Sequence, residues 1–332
     1  MGAAGAAAAG GLGLVGCTGG DEESTPTPRS TSTESAQSPR SPRVTSPSPD
    51  PDPLPSASPW PLLRTEVEPR AKEAAVRLLE ALGTWTRGQD GAGPAVERAE
   101  AAGVPDASAE RLVGQARPLL DAGAEATVRV IAAQYGGLLD ARASVLVALR
   151  QWGRAADGTV ADGGATVDVR LTRGGSGWQV GALYPSRTAP PLDRPGALIE
   201  RVVGHERIRL PPAGEADVLA GRLRPRPLRG LLTLAESYEV DVSVVHTGHP
   251  RNVFGTGRLS DHTRMRAFDV WAVDGRAVID PATPDSLVDG FMRAAVLAGA
   301  YNVGGPRLLS GGSFFSDRVH RDHLHIAFDR DT

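Results

Sequence analysis

The chain has 332 residues and a single cysteine, Cys17. No intramolecular disulfide can form, so stability must come from burial, with a bound metal as the other available support. Aromatic residues are scarce at 5%, whereas Gly (40) and Pro (27) are abundant. Charge of one sign is also lacking: the net charge is −3, which excludes an electrostatic case for general nucleic-acid binding. No run is long and apolar enough for a spanning helix. Histidine is absent from the first 204 residues, and all seven lie between His205 and His325. The length suits two domains with linkers.

Residues 3–16 are Ala, Gly, Leu and Val only and end in Leu14-Val15-Gly16-Cys17. The segment resembles a bacterial lipobox, in which the Cys is lipidated and becomes the new N-terminus, after an apolar run too short to span. That resemblance assigns residues 1–20 to a lipoprotein signal, with Cys17 as the lipidation site and the membrane as a partner through the lipid. No Lys or Arg precedes the run, and Arg29 is the first basic residue. This departure leaves two readings, a true start further upstream or a plain Ala/Gly tail. Residues 21–61 are dominated by Ser, Thr, Pro and charge; they cannot bury enough apolar surface to offset ordering entropy and read as a disordered tether.

A folded region is expected from Leu62. Ala75, Leu78, Leu79 and Leu82 recur at helical spacing, and a second helix is expected over 107–121. Segments 126–133, 144–152, 165–172 and 177–184 are rich in β-branched and aromatic residues, with Gly-rich links between the later ones, as in an antiparallel meander. Residues 62–188 therefore read as an α+β domain whose order loosely resembles the cone of nuclear transport factor 2-like proteins. Lacking any histidine, it is expected to be a spacer or a binding module. Ala189–Pro195 marks the boundary to a second α+β domain, residues 189–332. There a helix is expected over 229–238 and strands over 240–246, 267–273 and 323–328. Asp274-Gly275 signals a hairpin turn. Thr283-Pro284 should open a helix with Pro at its first position and an apolar face of Leu287, Phe291, Ala294 and Ala298.

Two stretches gather histidine with acid: Ser260-Asp261-His262 through Asp269, and His320-Arg321-Asp322-His323-Leu324-His325. A catalytic zinc takes three His or carboxylate ligands and leaves a fourth position for water. Residues two apart in a strand share a face, so His323 and His325 point one way. His262, seven residues before Asp269, can turn and return to the same centre. If the two strands are neighbours, His262, Asp269 and His325 converge on one ion with His323 beside it.

The pattern Ser-x-His-x6-Asp followed by an acid three residues before a final His resembles the zinc peptidases that include D-alanyl-D-alanine carboxypeptidases, L-alanyl-D-glutamate endopeptidases and the hedgehog signalling domain. Ser260, His262, Ala267, Asp269, Asp322, His323 and His325 carry the resemblance, which covers about residues 228–328. It implies a hedgehog-like antiparallel sheet with flanking helices and Zn2+ held by His262, Asp269 and His325. Asp322 or His323 would then be the proton carrier. Such enzymes usually place an Arg after an upstream strand to hold the substrate carbonyl or carboxylate; Arg251 is that candidate, with His249 beside it. Two positions depart from the pattern. Met265 replaces a Gly, so the turn should differ or the pocket floor should be bulkier, and Asp322 replaces a longer Glu. Ser260 is expected to be a hydrogen-bonding neighbour of the site, not a nucleophile, and His205 and His246 are expected to be structural. Together with a lipid anchor and a tether of about 40 residues, the resemblance implies an extracytoplasmic bacterial enzyme acting on peptidoglycan stem peptides. A non-catalytic zinc-containing surface binding protein is the alternative.

Overall fold

A computed structural model describes residues 53–329 apart from Ser176. The lipobox-like run, Cys17 and the tether up to residue 52 lie outside the described residues. The tether's final residues, 53–61, carry no helix or strand. Trp60 already belongs to the body: its N–H donates to Glu80 at 2.8 Å and its ring packs 5.8 Å from that of Trp271.

The first half opens with helices α1 (Pro69–Gly83), α2 (Ala92–Ala101), α3 (Asp106–Gln115) and α4 (Arg117–Leu120). The expected helix over 107–121 is broken into α3 and α4 at Ala116, because Pro118 cannot supply the N–H that would continue α3. Four strands follow, β1 (Glu125–Leu138), β2 (Arg142–Arg154), β3 (Val160–Gly174) and β4 (Gly177–Pro185), forming the expected meander in the order β1-β2-β3-β4. The first three are longer than their apolar stretches, since polar and glycine positions at their ends still pair. Leu78, Leu79 and Leu82 of α1 bury against Tyr135, Val145, Val147, Val167 and Val169 of the sheet.

The second half contains α5 (Ala197–Val203), β5 (Ile208–Arg209), α6 (Pro212–Leu219), α7 (Pro225–Ala235), β6 (Val240–Val244), β7 (Ala267–Val273), β8 (Arg276–Ala277), α8 (Asp285–Leu297), β9 (Ala300–Gly304), β10 (Phe314–Phe315) and β11 (Leu324–Phe328). Its sheet runs β10-β9-β11-β7-β6-β5, with β8 paired to β7. The expectation of an antiparallel sheet holds for the middle strands only: β5 is parallel to β6, and β10 to β9. The β5–β6 link carries α6 and α7, long enough for a parallel return. Asp274 and Gly275 both have positive φ (51° and 69°), the two-residue turn their sequence signals. In α8 Pro284 stands at the N-cap instead of the first helical position, and the buried face is Val288, Phe291, Met292 and Ala295. The expected Leu287 and Ala294 sit half-buried at its margin.

The architecture is thus α+β, with two sheets and two hydrophobic clusters that change over where the Pro-rich stretch 189–195 lies. The described residues, however, fall in one compact unit, so the two halves are not independent bodies. Among the described residues no helix is long and apolar enough to cross a membrane.

Candidate metal centre

One helical turn presents the first histidine. Arg264 N–H donates to the Asp261 carbonyl at 3.1 Å, Met265 N–H to the His262 carbonyl at 2.8 Å, and Arg266 N–H back to the Asp261 carbonyl at 3.0 Å. This pair of closing bonds is the Schellman arrangement, whose penultimate residue must be left-handed and is usually Gly. Met265 occupies that position with φ 59°. The methionine itself accepts the strained conformation, and its side chain does not line the cleft. The Arg266 guanidinium donates to Asp261 at 2.7 Å and the Ser260 hydroxyl accepts from His262 N–H at 3.2 Å, both bracing the turn. Because a left-handed non-glycine residue costs about 1–2 kcal/mol, Met265→Gly should match or slightly exceed the parent in stability. Met265→Val should lose about 1–2 kcal/mol, for a β-branched residue is still less suited to this region. Urea unfolding midpoints of the three chains check this.

The second and third residues come from neighbouring strands. β7 and β11 pair antiparallel with Asp269 directly opposite His325, so both side chains leave the same face. His262 Nε2 lies 3.1 Å from Asp269 Oδ1 and 3.2 Å from His325 Nδ1, and His325 Nδ1 lies 3.0 Å from the same Asp269 oxygen. Three ligands about 2.0–2.1 Å from a tetrahedral zinc stand roughly 3.3 Å apart. The triangle has that size. His262 Nδ1 donates to the Val245 carbonyl at 2.7 Å, which fixes the tautomer and leaves Nε2 as the inward lone pair. His249 is a fourth neighbour. Its ring stacks on His262 at 4.1 Å, and His249, His262 and Asp269 offer donor atoms within 4.8 Å of one another. The triangle with His325 is the tighter of the two, and His249, His262 and Asp269 can hold a metal ion.

The electrostatics suit a cation. Burial opposes ionisation of Asp269, yet His262 and His323 hold it well below the usual carboxylate range. Burial pushes His325 down to about 4 and His249 well below its ordinary value, which keeps both imidazoles neutral. For His262 burial acts in the same direction, but Asp269 and the Val245 carbonyl together outweigh it and the net shift is upward. A cation at His262 would compete with the proton that Asp269 favours there.

His323 and Asp322 do not share one role. His323 lines the cleft, with Nε2 3.9 Å from Asp269 Oδ2. Asp322 is 3% exposed and turned away from the cleft. Its Oδ1 accepts from His323 Nδ1 at 2.7 Å, and its Oδ2 accepts from Lys72 Nζ at 2.7 Å and Tyr135 N–H at 3.1 Å. Asp322 thus orients His323 and has no free edge for substrate.

Lys72 and Tyr135 belong to the first half, as does Gln134, whose Nε2 donates to Asp269 Oδ2 at 2.7 Å. Lys72 is fully buried on α1, ion-paired to Glu66 at 2.5 Å as well as to Asp322, and lies over the Tyr135 ring. The first half, expected to be a spacer or a binding module, thus reaches the centre with charged and polar side chains. Lys72 did leave a signal in sequence. It stands on the buried face of α1 with Val76 and Leu79, a lone cation in an apolar stripe. Gln134 left none.

The cleft over the centre has a volume of about 460 Å³. One wall is β1 from Tyr135 to Leu138, and the other includes His249, Phe254, Arg258, Asp317 and His320. Arg251 is not there. It is exposed and lines a separate hollow with Asp168, Arg170 and Arg187, while its carbonyl accepts from Ser260 N–H and Thr263. The loop after β6 folds back to that contact, which carries the Arg251 side chain outward. The arginine that lines the cleft is Arg258. His246 donates from Nδ1 to the His262 carbonyl and is structural, as expected.

No family model and no curated protein matches the chain. Among solved structures, a candidate aromatic ring hydroxylase from Novosphingobium aromaticivorans matches at 10% identity and TM-score 0.21, over 27% of this chain and 73% of that one, a likeness too loose to bear on fold or function.

Proposed function

We propose that the protein is a zinc-dependent hydrolase of peptidoglycan stem peptides, a D,D-carboxypeptidase or endopeptidase. In this reading the second half is hedgehog-like and the first half is a cone of the nuclear transport factor 2 type. The observation that supports it most is the triangle of His262 Nε2, Asp269 Oδ1 and His325 Nδ1, with sides of 3.0–3.2 Å, at the base of a cleft. When bound, zinc supplies a Lewis acid and brings a water's pKa toward neutrality. His323 is the proton acceptor: Asp322 holds its Nδ1–H, so Nε2 is the basic atom at the cleft. Asp322 acts through His323 and does not touch substrate. Arg258 takes the carboxylate-binding role first expected of Arg251, since its fork suits the free carboxylates of stem peptides. Lipidation of Cys17 and the tether up to residue 61 would hold the body beside the cell wall outside the membrane.

The experiment uses the full chain. It should carry one zinc per molecule and release D-alanine or shortened stem peptides from muropeptides, and Cys17→Ala should move it from the membrane to the soluble fraction. Zinc binding without cleavage of any muropeptide would favour the non-catalytic binding protein, and a chain that binds no zinc would remove the metal reading altogether.

A further inference from the structure

Gln134 stands on β1, in the half that supplies none of the three ligands, and is 1% exposed. Its Nε2 lies 2.7 Å from Asp269 Oδ2, the oxygen that is not part of the triangle. An ionised carboxylate only accepts hydrogen bonds, so the atom facing it must be the amide NH2. Ser243 on β6 settles the same orientation from the other end, by donating its hydroxyl to Gln134 Oε1. Ser243 is itself buried, so the amide is held between two fixed partners.

The arrangement has a chemical consequence. A buried carboxylate with one oxygen committed to a cation must satisfy the other oxygen, or rotate to bring both toward the positive charge. Rotation would pull Asp269 Oδ1 out of the triangle with His262 and His325. We infer that Gln134 is a positioning residue that holds Asp269 in a one-oxygen ligating pose, and that the first half is thereby a working part of the metal centre. This rests on the metal reading above.

The test measures zinc affinity of the full chain by competition with a chromophoric chelator, and the visible absorption of the cobalt form. Gln134→Leu should bind zinc about 10–100-fold more weakly, the range for loss of a group that orients a ligand. Gln134→Glu should be at least as weak, because it keeps the size of Gln but presents an acceptor to Asp269, and its cobalt bands should shift. Ser243→Ala should lose several-fold, as the amide is no longer held from behind. Where Gln134→Glu does not fold, Gln134→Leu and Ser243→Ala decide. Variants that bind zinc within about twofold of the parent would overturn this inference alone. A parent that takes up no zinc would overturn the metal reading and this one with it.

Discussion

Asp269→Asn is expected to abolish zinc retention and hydrolysis while the metal-free fold persists. Asp269 is 1% exposed, and its Oδ1 is the shared apex of the contacts to His262 Nε2 and His325 Nδ1. Asparagine keeps the shape but removes the charge that holds the two imidazoles, so the affinity loss should exceed the roughly 10–100-fold of a group that merely orients a ligand. The fold should survive, because the change also relieves a buried anion of the need for compensation. With zinc at 1,000 times its Kd, the parent gains about 4 kcal/mol of stability from binding. Thermal unfolding with zinc and with chelator should show that gain for the parent and none for Asp269→Asn. An equal gain in both would mean that the ion, if any, sits elsewhere.

The second large effect concerns stability. Lys72→Met should cost about 3–5 kcal/mol, since removing one member of a buried ionic group leaves the others uncompensated. Lys72 has no exposed surface and lies between Glu66 at 2.5 Å and Asp322 at 2.7 Å. In the parent, burial acts to raise Asp322, but Lys72 and His323 together outweigh it and the folded value falls below 3.8. Asp322 therefore contributes stability that is complete above 3.8 and is lost as pH falls through its folded value. Burial carries Glu66 the other way, above 4.5, so Glu66 favours folding at low pH and costs stability as pH rises. Removing Lys72 moves both carboxyls upward. The deficit of Lys72→Met should accordingly be full at pH 7 and shrink as pH falls past the carboxylate range and through the folded value of Asp322, below 3.8, where both groups carry protons in either state. Urea unfolding at pH 7 and at a pH below 3.8 would check this; a deficit independent of pH would assign the loss to packing alone.

The convergence of His262, Asp269 and His325 could be read from residue order because these residues obey local rules. Asp269 and His325 lie on strands whose β-branched and aromatic content marks them, and the spacing of His262 from Asp269 leaves room for one closed turn. Met265 shows where such reading errs. Its side chain argues against positive φ, but two backbone hydrogen bonds and the Asp261–Arg266 ion pair hold the turn regardless. The placement of Arg251 was beyond local rules, because a loop side chain follows the tertiary contacts of its backbone. The partners from the first half were further still from view. Gln134 meets Asp269 across 135 positions, and Lys72 meets Asp322 across 250. No periodicity or turn signal acts over such distances; only the docking of two separately patterned layers brings these groups together. The missed β9 has a related cause, for Ala300–Gly304 is short and begins at Ala-Tyr-Asn, without the apolar alternation that marks a strand.

The place of β11 bears on how the molecule comes into being. This strand, the latest in sequence, is not at the rim of its sheet but is wedged between β9 and β7. Until it arrives, two hydrogen-bonding margins stand bare, and such margins invite pairing with other chains. The same five residues bring in His325, and Asp322 sits just ahead of them. Before β11 docks, the sheet is adhesive at two margins and the His262–Asp269 pair lacks its His325 neighbour; docking supplies both in one step. Long-range closure of this kind is slow, so the cluster of His262, Asp269 and His325 assembles late in folding.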